Sequence, residues 1–158
     1  MQACAGKLRT RVKHVRGGRE SMSKRILIID DSIEHLDILK EVLTFSGFEV
    51  KTAVDGRRIV SIVQKFHPHL VLLDYVLPVI NGGELAARLK NNPVSAHIPI
   101  ILMSAYLNTT IINQCRCCDG ILYKPFDLDL LLRYINQVLN KAASRPSFFE
   151  TDHNQPSG

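Results

Sequence analysis

The feature that most constrains this chain is a set of short runs that are apolar on every side. "RILIID" (25–30), "HLVLLD" (69–74), "IPIILMS" (98–104) and "GILYK" (120–124) are too short for buried helices and rich in β-branched or aliphatic residues. Runs of this kind are strands covered on both faces. A fifth run, "FEVKTA" (48–53), alternates instead and reads as an edge strand. Amphipathic stretches separate them. Ser32 caps a helix whose apolar positions include Leu36, Leu39 and Leu43 with the adjacent Ile38, Val42 and Phe45, and Gly47 stops it. Asp55-Gly56 opens a second helix with Ile59, Ile62, Val63 and Phe66 on one face, ended by His67-Pro68. Asn81-Gly82 opens a third through Leu85, Ala86 and Leu89. A short helix is expected near 107–116. Pro125 and Asp127 begin the last, with Leu128, Leu131, Leu132, Ile135, Val138 and Leu139 inward. Five strands alternating with five helices make an α/β fold around a parallel sheet.

The length of 158 residues bounds this to one domain. No apolar run approaches the ~20 residues that span a bilayer, and no secretory signal opens the chain. The net charge of +5 is unevenly spread. Residues 1–25 hold eight basic side chains (Lys7, Arg9, Arg11, Lys13, Arg16, Arg19, Lys24 and Arg25) against Glu20, so the remaining body is slightly acidic. The expected division is a basic, disordered extension over 1–22, a folded domain over 23–143 and a flexible tail over 144–158, with Met22 a natural start. Neither a membrane partner nor direct DNA binding is expected of the folded body. Cys115, Cys117 and Cys118 ("CRCC") are spaced too tightly for a structural zinc site, and no second pair exists, so free thiols in a reducing cytoplasm are expected. His35, His67, His69 and His97 show no ligand spacing and read as surface or strand-start residues.

The polar residues that interrupt this pattern fall at strand ends. Asp30 and Asp31 close the first strand, Asp74 the third, Ser104 the fourth and Lys124 the fifth. Open α/β sheets bind ligands outside the carboxyl ends of their strands, where strand order reverses. Three carboxylates gathered there repel one another and raise one another's pKa, which an oxygen-seeking divalent cation relieves. Lys124 adds a positive charge and Ser104 a hydroxyl. Such a set suits phosphoryl transfer with a carboxylate as nucleophile. Singly, each residue is explained as a turn former, helix cap or surface lysine. Their joint placement after four strands favours chemistry.

Over residues 24–142 the chain resembles the receiver domains of two-component response regulators, the CheY-like superfamily. The resemblance rests on "DDS", on "DYVLPVING" as D-x-x-x-P-x-x-x-G (Asp74, Pro78, Gly82), on "MSA" (Ser104, Ala105) and on "YKPF" (Lys124, Pro125), in that order. It implies a flavodoxin-like doubly wound sheet of order 2-1-3-4-5. It implies that Asp74 accepts a phosphoryl group from the phosphohistidine of a histidine kinase or phosphotransfer protein in a bacterial-type cytoplasm. Asp31 and Asp74 would ligate Mg2+ or Mn2+, with Asp30 acting mostly through water and the backbone carbonyl of Val76 completing the set. Lys124, Ser104 and the backbone of Ala105 would hold the phosphoryl group, and the Lys124–Pro125 bond would be cis. Movement of Ser104 would bias the surface of helix four, strand five and helix five toward a downstream protein.

Two departures stand out. The position three before the lysine, usually an aromatic rotamer switch in this family, is Ile121; Tyr123, on the same strand parity, is a partial substitute. Val76 and Tyr106 flank the phosphoryl site where polar residues can position water, which implies slow hydrolysis of aspartyl phosphate. The reading is a stand-alone receiver, since no DNA-binding domain follows residue 143. The alternatives are a degenerate receiver serving as a binding module and a small α/β phosphohydrolase. The latter wants an acid two residues after its nucleophile, where Val76 stands.

Overall fold

A computed structural model describes residues 23–106 and 109–144, apart from the side chains of Thr110 and Gln114. The expectations for 1–22 and for the tail beyond Ser144 lie outside the described residues. The chain alternates strand and helix: β1 (Arg25–Ile29), α1 (Ile33–Phe45), β2 (Glu49–Ala53), α2 (Ile59–Phe66), β3 (Leu70–Asp74), α3 (Gly82–Lys90), β4 (Ile100–Ser104), α4 (Thr109–Gln114), β5 (Gly120–Tyr123) and α5 (Leu128–Ala143). All four strand pairings are parallel and the order is β2-β1-β3-β4-β5. Strand order reverses between β1 and β3, which places a crevice at their carboxyl ends.

The all-apolar runs are the interior strands. β3 and β4 are buried at every residue, as is β1 beyond Arg25, whereas β2 alternates at an edge. Side chains of successive strand residues point to opposite faces, so two cores form. Leu27, Ile29, Val71, Leu73, Ile100 and Leu102 pack with Ile59 and Val63 of α2 and Leu85 and Leu89 of α3. Ile26, Ile28, Leu70, Leu72, Ile101 and Met103 pack on the opposite face with Leu36, Leu39 and Leu43 of α1 and Leu131, Ile135 and Val138 of α5.

Helix boundaries follow local chemistry. The Ser32 hydroxyl accepts the His35 N–H at 3.3 Å, Asn81 caps α3 through the Glu84 N–H, and Asp127 caps α5 through the Leu130 N–H. α1 ends before Gly47, whose φ of 91° is a left-handed turn that favours glycine. Three expectations change. Asp55-Gly56 does not open α2: the Asp55 carboxylate accepts the Arg57 backbone N–H and pairs with the Arg57 guanidinium, holding that stretch as a turn until Ile59. On α1, Ile38 and Phe45 point outward, 54% and 94% exposed, because the sheet contacts only the Leu36–Leu39–Leu43 stripe. On α5, Leu128 is 40% exposed rather than inward, at the rim of the carboxyl-end crevice.

Candidate phosphoacceptor site

The sheet register builds the site. Ile29 pairs with Leu73 across β1 and β3, and Asp74 pairs with Met103 across β3 and β4. Asp30 and Asp74 are therefore the next residues on neighbouring strands. Each of Asp30, Asp31 and Asp74 places one carboxylate oxygen within 4.8 Å of the others. Asp30 and Asp74 are buried, at 1% and 6% exposure, and Asp31 is exposed to solvent.

Lys124, just past β5, answers that negative charge. Its Nζ donates to Asp30 Oδ2 and to Asp74 Oδ1, each at 3.0 Å. Asp30 also accepts the Ser32 backbone N–H at 2.9 Å, and His35 Nδ1 stands 3.5 Å from its Oδ2. Burial pushes the Asp74 carboxyl above its ordinary pKa. The Lys124 hydrogen bond and charge pull the other way, and the charges of Asp30 and Asp31 add to the rise. Burial alone would lower the Lys124 pKa, but the hydrogen bonds it donates to Asp74 and Asp30, with their charges, outweigh it, so the amine is held above its ordinary value and charged.

Gly82 explains the spacing of "DYVLPVING". The loop returns so that the Gly82 N–H donates to the Tyr75 carbonyl at 2.8 Å. A Cβ at Gly82 would collide with the Asp74 carbonyl oxygen and lie 2.8 Å from the Tyr75 Cα. The glycine is required by backbone passing against backbone directly behind Asp74.

Ser104 is buried beside the site, yet its hydroxyl faces its own loop. It accepts the Tyr106 N–H at 3.1 Å and donates to the Tyr106 carbonyl at 3.0 Å. Its backbone carbonyl accepts the Lys124 N–H at 2.8 Å, which links β4 to the lysine. Ala105 is exposed and lines the crevice, Val76 is 52% exposed in the loop after β3, and Tyr106 is 62% exposed. The Lys124–Pro125 peptide bond is cis. Ile121 is half-buried against the α2–α3 core, and Tyr123 is 37% exposed.

Two features were not anticipated. His35 lies on the exposed surface of α1, as expected, and the first turn of that helix also brings its ring beside Asp30. A cavity of about 410 Å³ adjoins the site, lined by Asp30, His35, Ile38, Leu39, Lys124 and Phe126 among others. The outward Ile38 and Leu128 belong to its wall. Cys115, Cys117 and Cys118 form no disulfide among the described residues. Among the described residues the acid trio is the one cluster of potential metal-ligating side chains.

A doubly wound five-stranded sheet with acids at its switch point and a lysine after its last strand defines the class, and sequence comparison places the chain within it. Residues 26–136 match the response regulator receiver domain, and the chain belongs to that family. It is similar to sporulation initiation phosphotransferase F of Bacillus subtilis, 34% identical over 120 residues that cover 75% of this chain and 95% of that protein. It is 31% identical over 124 residues to the DNA-binding dual master transcriptional regulator RpaA of Synechocystis, covering 77% of this chain and 52% of that protein. The chain thus spans about half the length of that regulator. Among solved structures, the chemotaxis protein CheY4 of Vibrio cholerae superposes with a TM-score of 0.70 at 26% identity, over 74% of this chain and 99% of that one. The response regulator TrrA of Thermotoga maritima, in complex with Mg(2+)-BeF, gives 0.66 at 30% identity over 73% of this chain and 98% of that one. Receiver domains are signalling phosphoacceptors rather than classical enzymes, and their partners are histidine kinases and phosphotransfer proteins. No helix among the described residues is long and apolar enough to cross a membrane.

Proposed function

We propose that this chain is a phosphorylation switch in which Asp74 accepts a phosphoryl group from a phosphohistidine of a kinase or phosphotransfer protein in the cytoplasm. The observation that carries the reading is the convergence of Asp30, Asp31 and Asp74 with the Lys124 amine 3.0 Å from two of them. An Asp74 oxygen attacks phosphorus, the nitrogen–phosphorus bond breaks, and the imidazole leaves with the bond's electron pair. Lys124, already in contact with Asp74, pairs with the incoming phosphoryl oxygens. Ser104 exchanges its two bonds to Tyr106 for one to a phosphoryl oxygen, and the Ala105 N–H supplies another.

Three convergent carboxylate oxygens are a hard donor set that fits Mg2+ or Mn2+. Asp31 and Asp74 would hold the ion directly, Asp30 through water, and the Val76 carbonyl would complete the protein's share. When bound, such an ion cancels the repulsion among the acids and draws charge from the phosphoryl oxygens. The division into a basic extension over 1–22, a receiver over 23–143 and a tail beyond it belongs to the same proposal.

Release of Ser104 from Tyr106 frees the loop between β4 and α4, and through the Ser104–Lys124 backbone bond it reaches β5. The face of α4, β5 and α5 is therefore the output surface toward a downstream protein. Ile121 packs into the core as an aliphatic residue, so the readout on β5 falls to the exposed Tyr123. Incubation with phosphoramidate, a nitrogen–phosphorus donor, and Mg2+, followed by reductive trapping and peptide mapping, tests the reading. Label confined to Asp74 and abolished by chelation supports it, and label elsewhere refutes it.

A further inference from the structure

At the amino end of the sheet, opposite the acids, lies a second cavity of about 340 Å³. Its rim carries Lys24, Arg25, His67, His69 and His97. Its floor is apolar, from Val63, Ile98 and Leu139, and Ala142 and Ala143 bring the last turn of α5 to its edge. Among the described residues neither Lys24 nor Arg25 forms an ion pair; Arg25 Nε instead donates to the His67 carbonyl at 2.8 Å. His69 Nδ1 accepts the Arg25 backbone N–H at 3.0 Å, which places the ring proton on Nε2 as a donor. A basic, donor-rich rim over an apolar floor fits a ligand with hydrophobic bulk followed by carboxylates.

The chain itself carries that chemistry just downstream. After Ser144 the sequence runs Arg145-Pro-Ser-Phe148-Phe149-Glu150-Thr-Asp152. Four residues from Ser144 to Phe148 reach about 14 Å when extended, and α5 ends at the cavity's edge, so Phe148 and Phe149 are within range of the floor. Glu150 and Asp152 follow them by one and three residues, opposite in charge to Lys24 and Arg25. The segment before β1 lacks this match. Residues 1–22 carry Lys7, Arg9, Arg11, Lys13, Arg16 and Arg19 against Glu20, and would be repelled by the same rim.

We propose that the segment Phe148–Asp152 docks into the amino-end cavity in cis, its phenyl groups on Val63, Ile98 and Leu139 and its acids on the Lys24–Arg25 rim. It latches the end of α5 to the starts of β1, β3 and β4, away from the phosphoacceptor site, and is independent of that site's chemistry.

NMR of the isotope-labelled full chain tests this against a chain ending at Ser144 and against a Phe148→Ser/Phe149→Ser variant. The latch predicts phenyl-to-methyl cross-peaks to Val63, Ile98 and Leu139, and upfield methyl shifts that both variants lose. Dilution leaves these signals in place. Identical methyl and His69 ring resonances in all three proteins overturn the proposal. Signals that fade on dilution overturn it too, because a second copy would then supply the segment. The serine variant keeps the chain length and the acids, so a change confined to truncation also counts against the aromatic anchor.

Discussion

The two ends of the same sheet are built oppositely. At the carboxyl end three acids converge on one lysine, which β5 delivers from fifty positions beyond Asp74. At the amino end basic and imidazole side chains ring an apolar hollow with no ion pair from Lys24 or Arg25 among the described residues. The strands between are apolar and uniform. Strand order alone separates the ends: the helices leave in opposite directions from β1 and β3 at the carboxyl end, opening a crevice into which strand-terminal side chains point. Chemistry gathers where charge is concentrated and paired, and the amino end is left as a surface for contact.

The sharpest way to break the contrast is to remove its keystone. Lys124→Met leaves buried Asp30 and Asp74 facing each other without a cation. We expect stability at neutral pH to fall by about 2–3 kcal/mol in denaturant melts, with Mg2+ restoring part of it. An unchanged midpoint would show that the acids do not depend on the lysine. Next in size is Gly82→Ala, which forces a methyl into the backbone behind Asp74. We expect a loss of ~2 kcal/mol and slower phosphorylation, read from melts and donor kinetics together. Gly47→Ala, strained by its φ but remote from Asp74, should cost stability without that kinetic effect.

A smaller effect concerns the life of the phosphorylated state. Val76 is exposed beside Asp74 and can neither orient water nor pass a proton. Val76→Asn should accelerate loss of the phosphoryl group several-fold, followed by mass against time, and equal decay would remove the idea. The smallest effect belongs to the amino end. Burial, with the charges of Lys24 and Arg25, lowers the His69 pKa below 6.5. A depressed folded-state value means the neutral ring's stabilisation is present above 6.5 and is lost as pH falls from there through the folded pKa. His69→Gln should flatten that slope in melts between neutral and mildly acidic pH, and an unaltered slope would assign it elsewhere.

Much of this was legible before any coordinates. An apolar run that stops at Asp30, Asp74, Ser104 or Lys124 marks a strand end whatever the precise boundary, and parallel register brings such ends together. The sheet order came with the motif resemblance and matches the observed order. What escaped was set by side-chain contacts and packing that residue type and spacing do not specify. α2 starts late because Asp55 finds Arg57 rather than capping the helix. Ile38 and Phe45 look inward by hydropathy, but a single sheet covers only a narrow stripe of α1. His35 reaches Asp30 because the chain turns sharply at Ser32, and no spacing rule announces it. The Lys90–Asp119 pair at 2.8 Å, which tethers α3 to the entry of β5, joins residues whose nearness only the fold creates.

The central claim is that the acid closing β3 is the group that takes the phosphoryl. Intact-mass measurement after incubation with acetyl phosphate and Mg2+ tests it most directly. A gain of one phosphoryl group in the native chain, absent from a folded Asp74→Asn variant, is the predicted result. A native chain that stays unmodified while a known receiver is labelled alongside it, or an Asp74→Asn variant that gains the group equally, would contradict the account.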